Sequence, residues 1–262
     1  MNNLSKHGRL SVIVIFVAVI VIYLWVEVNV PAVKRESLDI PGITEGTKIV
    51  QISDAHGRGI SENGRLFRAI RDFSPDFIVL TGDVIDESTS DFEPALETVR
   101  DLSGIAPVFF VPGNHERANP KGESFISAIR RAGAAALINE AVTIGDISLC
   151  GVDDINFGLD DVSAAIADSG RCDILLSHSP AIYEVIRGEG IPLVLSGHTH
   201  GGQVRLPLIG ELILPDKNIP KGLVKGTWSD EGTTFYVSVG LGTSVVPLRF
   251  MNRAAIDLLT IN

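Results

Sequence analysis

The stretch Phe77-Ile78-Val79-Leu80-Thr81-Gly82-Asp83 decides the fold. Four apolar residues run without a polar break and then give way to Thr-Gly-Asp. A strand covered on one face would alternate apolar with polar; an unbroken run of this length fits a strand buried on both faces, as in parallel sheets. The plan recurs in KIVQIS (48–53), PVFFVPGNHE (107–116), DILLSHSP (173–180) and PLVLSGHTH (192–200). Between several of these runs lie helix-length segments with spaced apolar positions: GRLFRAIRDF (64–73), DFEPALETVRDL (91–102) and SFISAIRRAG (124–133). Strand-helix alternation predicts an α/β fold with largely parallel pairing. AVTIGDISLCGV (141–152), GQVRLPLIGELIL (202–214), TFYVSVG (234–240) and AAIDLLTI (254–261) read instead as consecutive strands with tight turns. They predict a second, more antiparallel sheet packed against the first.

The N-terminus stands apart. In LSVIVIFVAVIVIYLWV (10–26) the only polar side chain of the aliphatic run is Ser11. As a helix this run is about 26 Å long, close to a bilayer core, and Tyr23 and Trp25 suit its interface. Lys6 and Arg9 before it would also suit a removed secretory signal. The following EVNVPAVKRE lacks a small-x-small cleavage site, which favours an uncleaved anchor. The chain thus divides into a transmembrane anchor at 1–28, a linker at 29–46 containing Pro31, Pro41 and Gly42, and a folded domain at 47–262. Lys34 and Arg35 partly balance Lys6 and Arg9, with Glu27, Glu36 and Asp39 diluting them; the domain is expected outside the cytoplasm.

The 262 residues are 45% hydrophobic, enough for one substantial core. A net charge of -10 argues against a nucleic-acid partner, whose phosphates would be repelled. Cys150 and Cys172 are too few for a disulfide framework and read as buried thiols.

Polar residues collect at the C-terminal ends of the apolar runs, the edge where open α/β sheets bind ligands. In order they are Asp54 and His56, Asp83, Asn114 and His115, His178, then His198 and His200. Five of the chain's 6 histidines fall in this set, the other being His7, and such sorting by position is not random. Each motif alone has a plain reading: a capped turn, a strand exit, a solvated or core histidine. GHTHGG is the strongest piece, because residues two apart on an extended strand project to one side and glycines admit close backbone approach. Thiolates are absent from the set, which disfavours a structural zinc site, and mixed oxygen and imidazole donors suit Mn, Fe or Zn. So many donors exceed one ion's needs; two divalent ions about 3.5–4 Å apart would use them. Such a centre attracts an anionic phosphate ester despite the acidic chain.

The set Asp54-x-His56, Gly82-Asp83-Val84-Ile85-Asp86, Gly113-Asn114-His115-Glu116, His178 and Gly197-His198-Thr199-His200 resembles the calcineurin-like metallophosphoesterases, whose pattern DxH, GDxxD, GNH[DE], H, GHxH it follows in order. GGQVRLP and VSVGLGTSVVPLRF are similar to a membrane-associated branch, which includes UDP-2,3-diacylglucosamine pyrophosphatase-like proteins and cell-wall-associated phosphodiesterases. The resemblance implies two facing mixed β-sheets flanked by helices. It also implies that Asp54, His56 and His200 hold one metal, that Asn114, His178 and His198 hold the other, and that Asp83 bridges them. Hydroxide generated at the metals would attack phosphorus in line with the leaving oxygen, and His115 would protonate that oxygen or stabilise phosphoryl charge. Asp86 and Glu116 would orient imidazoles. Arg117 and Arg249 are candidate phosphate contacts, with ordinary surface positions the plainer reading of each. The absence of a Walker lysine loop removes the nucleotide-triphosphatase reading, and the absence of a GxSxG elbow disfavours a serine hydrolase. The expected function is hydrolysis of a phosphodiester or pyrophosphate in an envelope or lipid-linked substrate, with manganese the favoured metal. The alternatives are a phosphoesterase for soluble nucleotides and a metal-free binding scaffold.

Overall fold

The computed structural model describes residues 6–216, 219–244 and 246–262. Residues 1–5 of the expected anchor lie outside the described residues. A long helix, α1 (Lys6–Asn29), comes first, followed by β1 (Ala32–Leu38) and β2 (Lys48–Ile52). Then α2 (Arg65–Phe73), β3 (Phe77–Thr81), α3 (Glu93–Ser103), β4 (Val108–Val111), α4 (Asn114–Ala118), α5 (Gly122–Arg131) and β5 (Ala134–Ala136) build one half. The other half is β6 (Glu140–Ile144), β7 (Ile147–Gly151), α6 (Val162–Ser169), β8 (Ile174–Leu176), α7 (Tyr183–Ile186) and β9 (Leu193–Ser196). A small hairpin, β10 (Arg205–Leu206) and β11 (Gly210–Glu211), precedes β12 (Gly226–Asp230), β13 (Thr233–Val237) and β14 (Ala255–Ile261).

Two six-stranded sheets result, ordered β1-β14-β2-β3-β4-β5 and β12-β13-β9-β8-β7-β6. All five residues of β3 are buried, as its unbroken apolar run requires. One face of that strand meets the second sheet. Ile49, Phe77, Val79, Phe109 and Val111 pack there against Leu149, Ile174, Leu176, Leu193 and Leu195. The other face carries Ile78, Leu80, Val108 and Phe110 onto the helices, where Phe67 and Ile70 of α2, Val99 and Leu102 of α3 and Phe125 and Ile129 of α5 close the layer. These helical residues recur at three- and four-residue intervals, so each helix presents one apolar stripe. Tyr183 and Ile186 of α7 and Ala165 of α6 cover the outer face of the second sheet. Burying each such aliphatic or aromatic side chain stabilises by about 1.5–3 kcal/mol.

Both sheets are mixed, as the family resemblance implies, but their membership differs from the simpler sequence reading. DILLSHSP and PLVLSGHTH share the rhythm of the first sheet yet supply β8 and β9 of the second. That sheet is parallel from β13 through β7 and antiparallel only at its ends. AAIDLLTI returns as β14 to the first sheet, antiparallel to β2, and GQVRLPLIGELIL joins neither. The linker expected at 29–46 is also corrected: residues 32–38 form β1, which pairs along its whole length with β14 from Ala32 opposite Ala255 to Leu38 opposite Ile261. Its Arg35 and Glu36 are solvent-facing, the charged surface of an edge strand.

The α1 segment Gly8–Asn29 is long and apolar enough to cross a membrane and is almost wholly unburied. Its last turns are an exception. Glu27 is buried and accepts the Asn252 N–H at 2.8 Å, while its carbonyl accepts the Ala254 N–H at 2.9 Å. Arg58 donates to the carbonyls of Val28 and Asn29, and Arg253 to that of Val30. These guanidinium groups satisfy carbonyls that a helix end leaves without partners. Cys150 and Cys172 are buried free thiols.

Candidate metal centre

The C-terminal edges of β2, β3, β4, β8 and β9 converge from both sheets. Asp54 and His56 leave β2, Asp83 leaves β3, Asn114 and His115 open α4 after β4, His178 follows β8, and His198 and His200 follow β9. The backbone is unusual there: Asp54, His56, Asp83, His198 and His200 all adopt φ between 49° and 66°. Left-handed φ is costly for residues with a Cβ and persists where surrounding structure imposes it, typically at functional sites. The glycines are equally constrained. A Cβ on Gly197 would collide with Ser53 Oγ and Asp54 Oδ2, and one on Gly82, at φ 81°, with the His178 ring.

Two groups of ligand atoms form. In the first, Asp54 Oδ1 lies 3.5 Å from His200 Nε2, which lies 3.2 Å from His56 Nε2. In the second, His178 Nε2 is 3.1 Å from Asn114 Oδ1, 3.2 Å from His198 Nδ1 and 3.2 Å from Asp83 Oδ2. Asp83 Oδ2 is also 3.9 Å from His56 Nε2, so it stands between the groups. Each set, Asp54-His56-His200 and Asp83-His178-His198, offers three atoms within 4.8 Å of one another.

The hydrogen bonds behind these atoms aim their lone pairs. His178 Nδ1 is 2.9 Å from the Thr81 carbonyl, which can only accept, so Nδ1 carries the proton and Nε2 presents its lone pair. His56 Nδ1 donates at 2.7 Å to Asp86 Oδ1, leaving Nε2 inward. Lone pairs of two imidazoles, a carboxylate and an amide that crowd one point are satisfied together by a divalent cation, and the carbonyl behind His178 and the carboxylate behind His56 are the usual support of a ligating imidazole. The residues present therefore fit two such ions.

Electrostatics differ around the ring of ligands. Burial, reinforced by the charge on His178, pushes His198 down to about 3. Burial, His56 and Arg249 hold His200 well below the ordinary imidazole range. Both stay neutral, the ligating form. Burial also disfavours charge on His56 and His178, but the Asp86 hydrogen bond and Asp83 outweigh it at His56, and Asp83 and Asp54 at His178, so both are raised. Asp83 is held low because His178 and His56 overcome its burial; Asp54 is raised chiefly by burial, with Asp83 adding to it.

His115 faces the same centre from a wetter position. Its Nδ1 accepts the Glu87 N–H at 3.2 Å, which leaves the proton on Nε2, 3.9 Å from Asp83 Oδ2. A cleft of about 640 Å³ opens over Asn114, His115 and His198 and is walled by Ile155, Glu184 and Pro215. Glu116 does not reach an imidazole. Its buried carboxylate accepts the N–H groups of Asp83, Ile85 and Gly113 at 2.8, 3.0 and 2.8 Å, stitching the loops after β3 and β4 together. Burial and Asp83 raise it to about 7.

The arginines differ from expectation. Arg249 is fully buried, and its guanidinium donates to the carbonyls of Val239, Gly242 and Asn252 at 2.6, 2.7 and 3.2 Å. It lies 3.4 Å from His200 Nδ1, behind the ligand and away from the cleft. Burial pushes it down to about 10. Arg117 forms a two-pronged pair with Asp153, both contacts at 2.6 Å, and also binds Glu123. Neither is a plain surface arginine, and neither guanidinium is free for phosphate. Three supports are not legible as motifs. The Thr81 carbonyl is backbone and leaves no residue signature, Asn252 donates to the His200 carbonyl at 2.6 Å, and buried Asp154 follows β7. The pair Asp153-Asp154 at a strand end is the one available signal.

Comparison with known proteins agrees with this geometry. Residues 47–202 match the family model described as calcineurin-like phosphoesterase. An uncharacterised metallophosphoesterase of Campylobacter jejuni is 30% identical over 97% of this chain and 69% of its own length. The uncharacterised metallophosphoesterase YkuE of Bacillus subtilis is 31% identical, covering 85% and 81%. Phosphodiesterase YaeI of Escherichia coli is 31% identical, covering 79% and 74%. Among solved structures, TT1561 of Thermus thermophilus shares the fold at a TM-score of 0.50 and 14% identity, over 75% of this chain and 90% of that one. With its ligand-bearing strand ends inside the matched span, this chain belongs to the calcineurin-like phosphoesterases, metal-dependent hydrolases of phosphoesters.

Proposed function

We infer that the protein hydrolyses a phosphodiester or pyrophosphate bond in an envelope or lipid-linked substrate, at a centre of two divalent ions. One observation carries the dinuclear reading: Asp83 Oδ2 stands between the two ligand groups, 3.2 Å from His178 Nε2 and 3.9 Å from His56 Nε2. Asp54, His56 and His200 would hold one ion and Asn114, His178 and His198 the other, with Asp83 shared. Bound there, the ions supply Lewis-acid activation of water and neutralise phosphate charge; oxygen and imidazole donors suit manganese, with iron or zinc alternatives.

His115 is the proton donor to the leaving oxygen. The Glu87 N–H fixes its Nε2–H tautomer, and the ring is the one site imidazole with appreciable exposure, 22% of its side chain. Asp86 orients His56. Arg117 and Arg249 position the Asp153 loop and the His200 loop rather than phosphate. The relative named phosphodiesterase YaeI supports a diester bond.

The apolar α1 is read as an uncleaved anchor that holds an extracytoplasmic domain at the membrane. The buried Glu27 and the arginines that grip residues 28–30 support this, because cleavage near Pro31 would strip partners from the folded domain. The test is hydrolysis of bis-p-nitrophenyl phosphate by full-length protein with Mn²⁺. Activity should disappear on chelation and fall at least about 10³-fold in Asp83→Ala, roughly 4 kcal/mol of transition-state stabilisation. Elemental analysis should return about two ions per chain. Unchanged turnover in Asp83→Ala would sink the reading.

A further inference from the structure

The hairpin β10–β11 inverts the usual arrangement of side chains. Leu208 and Ile209 at its tip are 108% and 69% exposed, and Leu212 just beyond it is 51% exposed. The hairpin joins neither sheet, so these side chains have no core to enter. Contiguous exposed apolar surface on a folded domain marks a partner or a membrane.

Its neighbours identify the occupant. Val204, at the base of the hairpin, bridges to Phe250, whose ring packs edge-on against Tyr23 of α1 with centroids 5.6 Å apart. The Met251 N–H donates to Tyr23 Oη at 2.9 Å, and the Met251 side chain is itself half exposed. The hairpin therefore stands where α1 leaves the domain, and on α1 the large apolar side chains from Leu10 to Ile22 project outward. Tyr23 and Trp25 mark the interfacial level of a spanning helix. Because Glu27, Arg58 and Arg253 clamp the end of α1, the depth of the hairpin relative to that level is fixed.

We propose that β10–β11 dips its apolar tip into the outer layer of the bilayer that α1 spans, presenting the catalytic cleft to the headgroup layer, where it takes the phosphoester of an amphiphile. This rests on the anchor reading of α1. The chain path makes the connection to catalysis: β10 begins five residues after the ligand His200, and the return strand leads to Pro215 on the cleft wall. The hairpin base meets the end of α1 through Phe250 and Tyr23, so a bilayer crossed by α1 is the occupant nearest to hand for the exposed tip. An amphiphile held in the membrane then meets the metal centre without leaving it, whereas a soluble ester would gain nothing from the hairpin.

The test uses full-length protein in phosphatidylcholine–phosphatidylglycerol vesicles whose acyl chains are brominated. Leu208→Trp in a Trp25→Phe chain reads the hairpin, Trp25 in the unaltered chain reads the anchor, and Glu45→Trp, at the opposite edge of the sheets, serves as control; the Trp228 signal of Trp25→Phe alone is subtracted. The expected result is loss of emission and a blue shift at Leu208→Trp, with neither at Glu45→Trp. Quenching at Leu208→Trp no greater than at the control overturns the proposal. If Trp25 is quenched while Leu208→Trp is silent, the anchor stands and the hairpin fails; if both are silent, both fail. A blue shift at Leu208→Trp without quenching means that a second copy covers the tip, which also overturns it.

Discussion

Two consecutive stretches of this chain treat water in opposite ways. From Gly197 to Gln203 the chain is polar or small; its histidines are buried, and Thr199 and Gln203 donate to backbone carbonyls. From Arg205 to Leu214 it is largely aliphatic, and Leu208, Ile209, Leu212 and Leu214 face outward. Soluble domains place polar residues outside and apolar ones inside, so the first stretch holds desolvated polar groups that need ligands or donors, and the second holds apolar groups that need an occupant. The inversion marks the two places proposed above as meeting something else, the cleft its substrate and the hairpin the bilayer. It also separates their sensitivities: the buried edge is tightly packed, whereas the hairpin, tied to the domain at its base, packs its tip on neither sheet.

The largest effect that would sharpen this contrast is at Arg249. Arg249→Met keeps much of the volume but leaves the carbonyls of Val239 and Gly242 without their donor, and should cost about 3 kcal/mol in urea unfolding. Next is Glu116→Gln, which sets an amide donor against one of three backbone N–H groups; a loss of about 1–3 kcal/mol is expected, with Tm as the readout. A smaller, pH-dependent effect belongs to Asp154. Burial and Asp83 raise it from 3.8 to about 6, and its Oδ2 has no hydrogen-bond partner among the described residues. A carboxyl raised in the folded state contributes stability that is complete below about pH 3.8 and lost as pH climbs through about 6. Asp154→Asn should therefore match wild type near pH 4 and gain on it towards pH 7, measured by unfolding of chelated protein. The smallest effect is at the hairpin: Leu208→Ser should change stability by no more than about 0.5 kcal/mol. A loss well above that would show the tip packed after all and break the comparison.

The sequence is most legible where burial on both faces suppresses alternation. The runs of β2, β3, β4, β8 and β9 are nearly continuous apolar segments, and the polar residues that follow them are the site. Sheet membership is not legible, since FIVLT and LVLS carry the same local pattern and only long-range packing separates them. AVKRESL reads as a linker because an edge strand exposed to water carries charge. The candidate ligand residues are readable by type and order, whereas the left-handed φ at Asp54, His56, Asp83, His198 and His200 has at most a weak signature, the modest preference of Asp and His for it. Arg117 and Arg249 mislead because their partners, a distant carboxylate and several carbonyls, leave no local pattern.

The clasp between α1 and the domain has a practical corollary for anyone who trims the apolar helix from this protein. A chain starting near Ile22 keeps Glu27 and the carbonyls that Arg58 and Arg253 grip. A chain starting after Pro31 strands those guanidinium groups and the Asn252 N–H. Asn252 is also the donor to His200 O, so an overshort version would loosen a candidate metal ligand from a distance and be mistaken for an inactive enzyme.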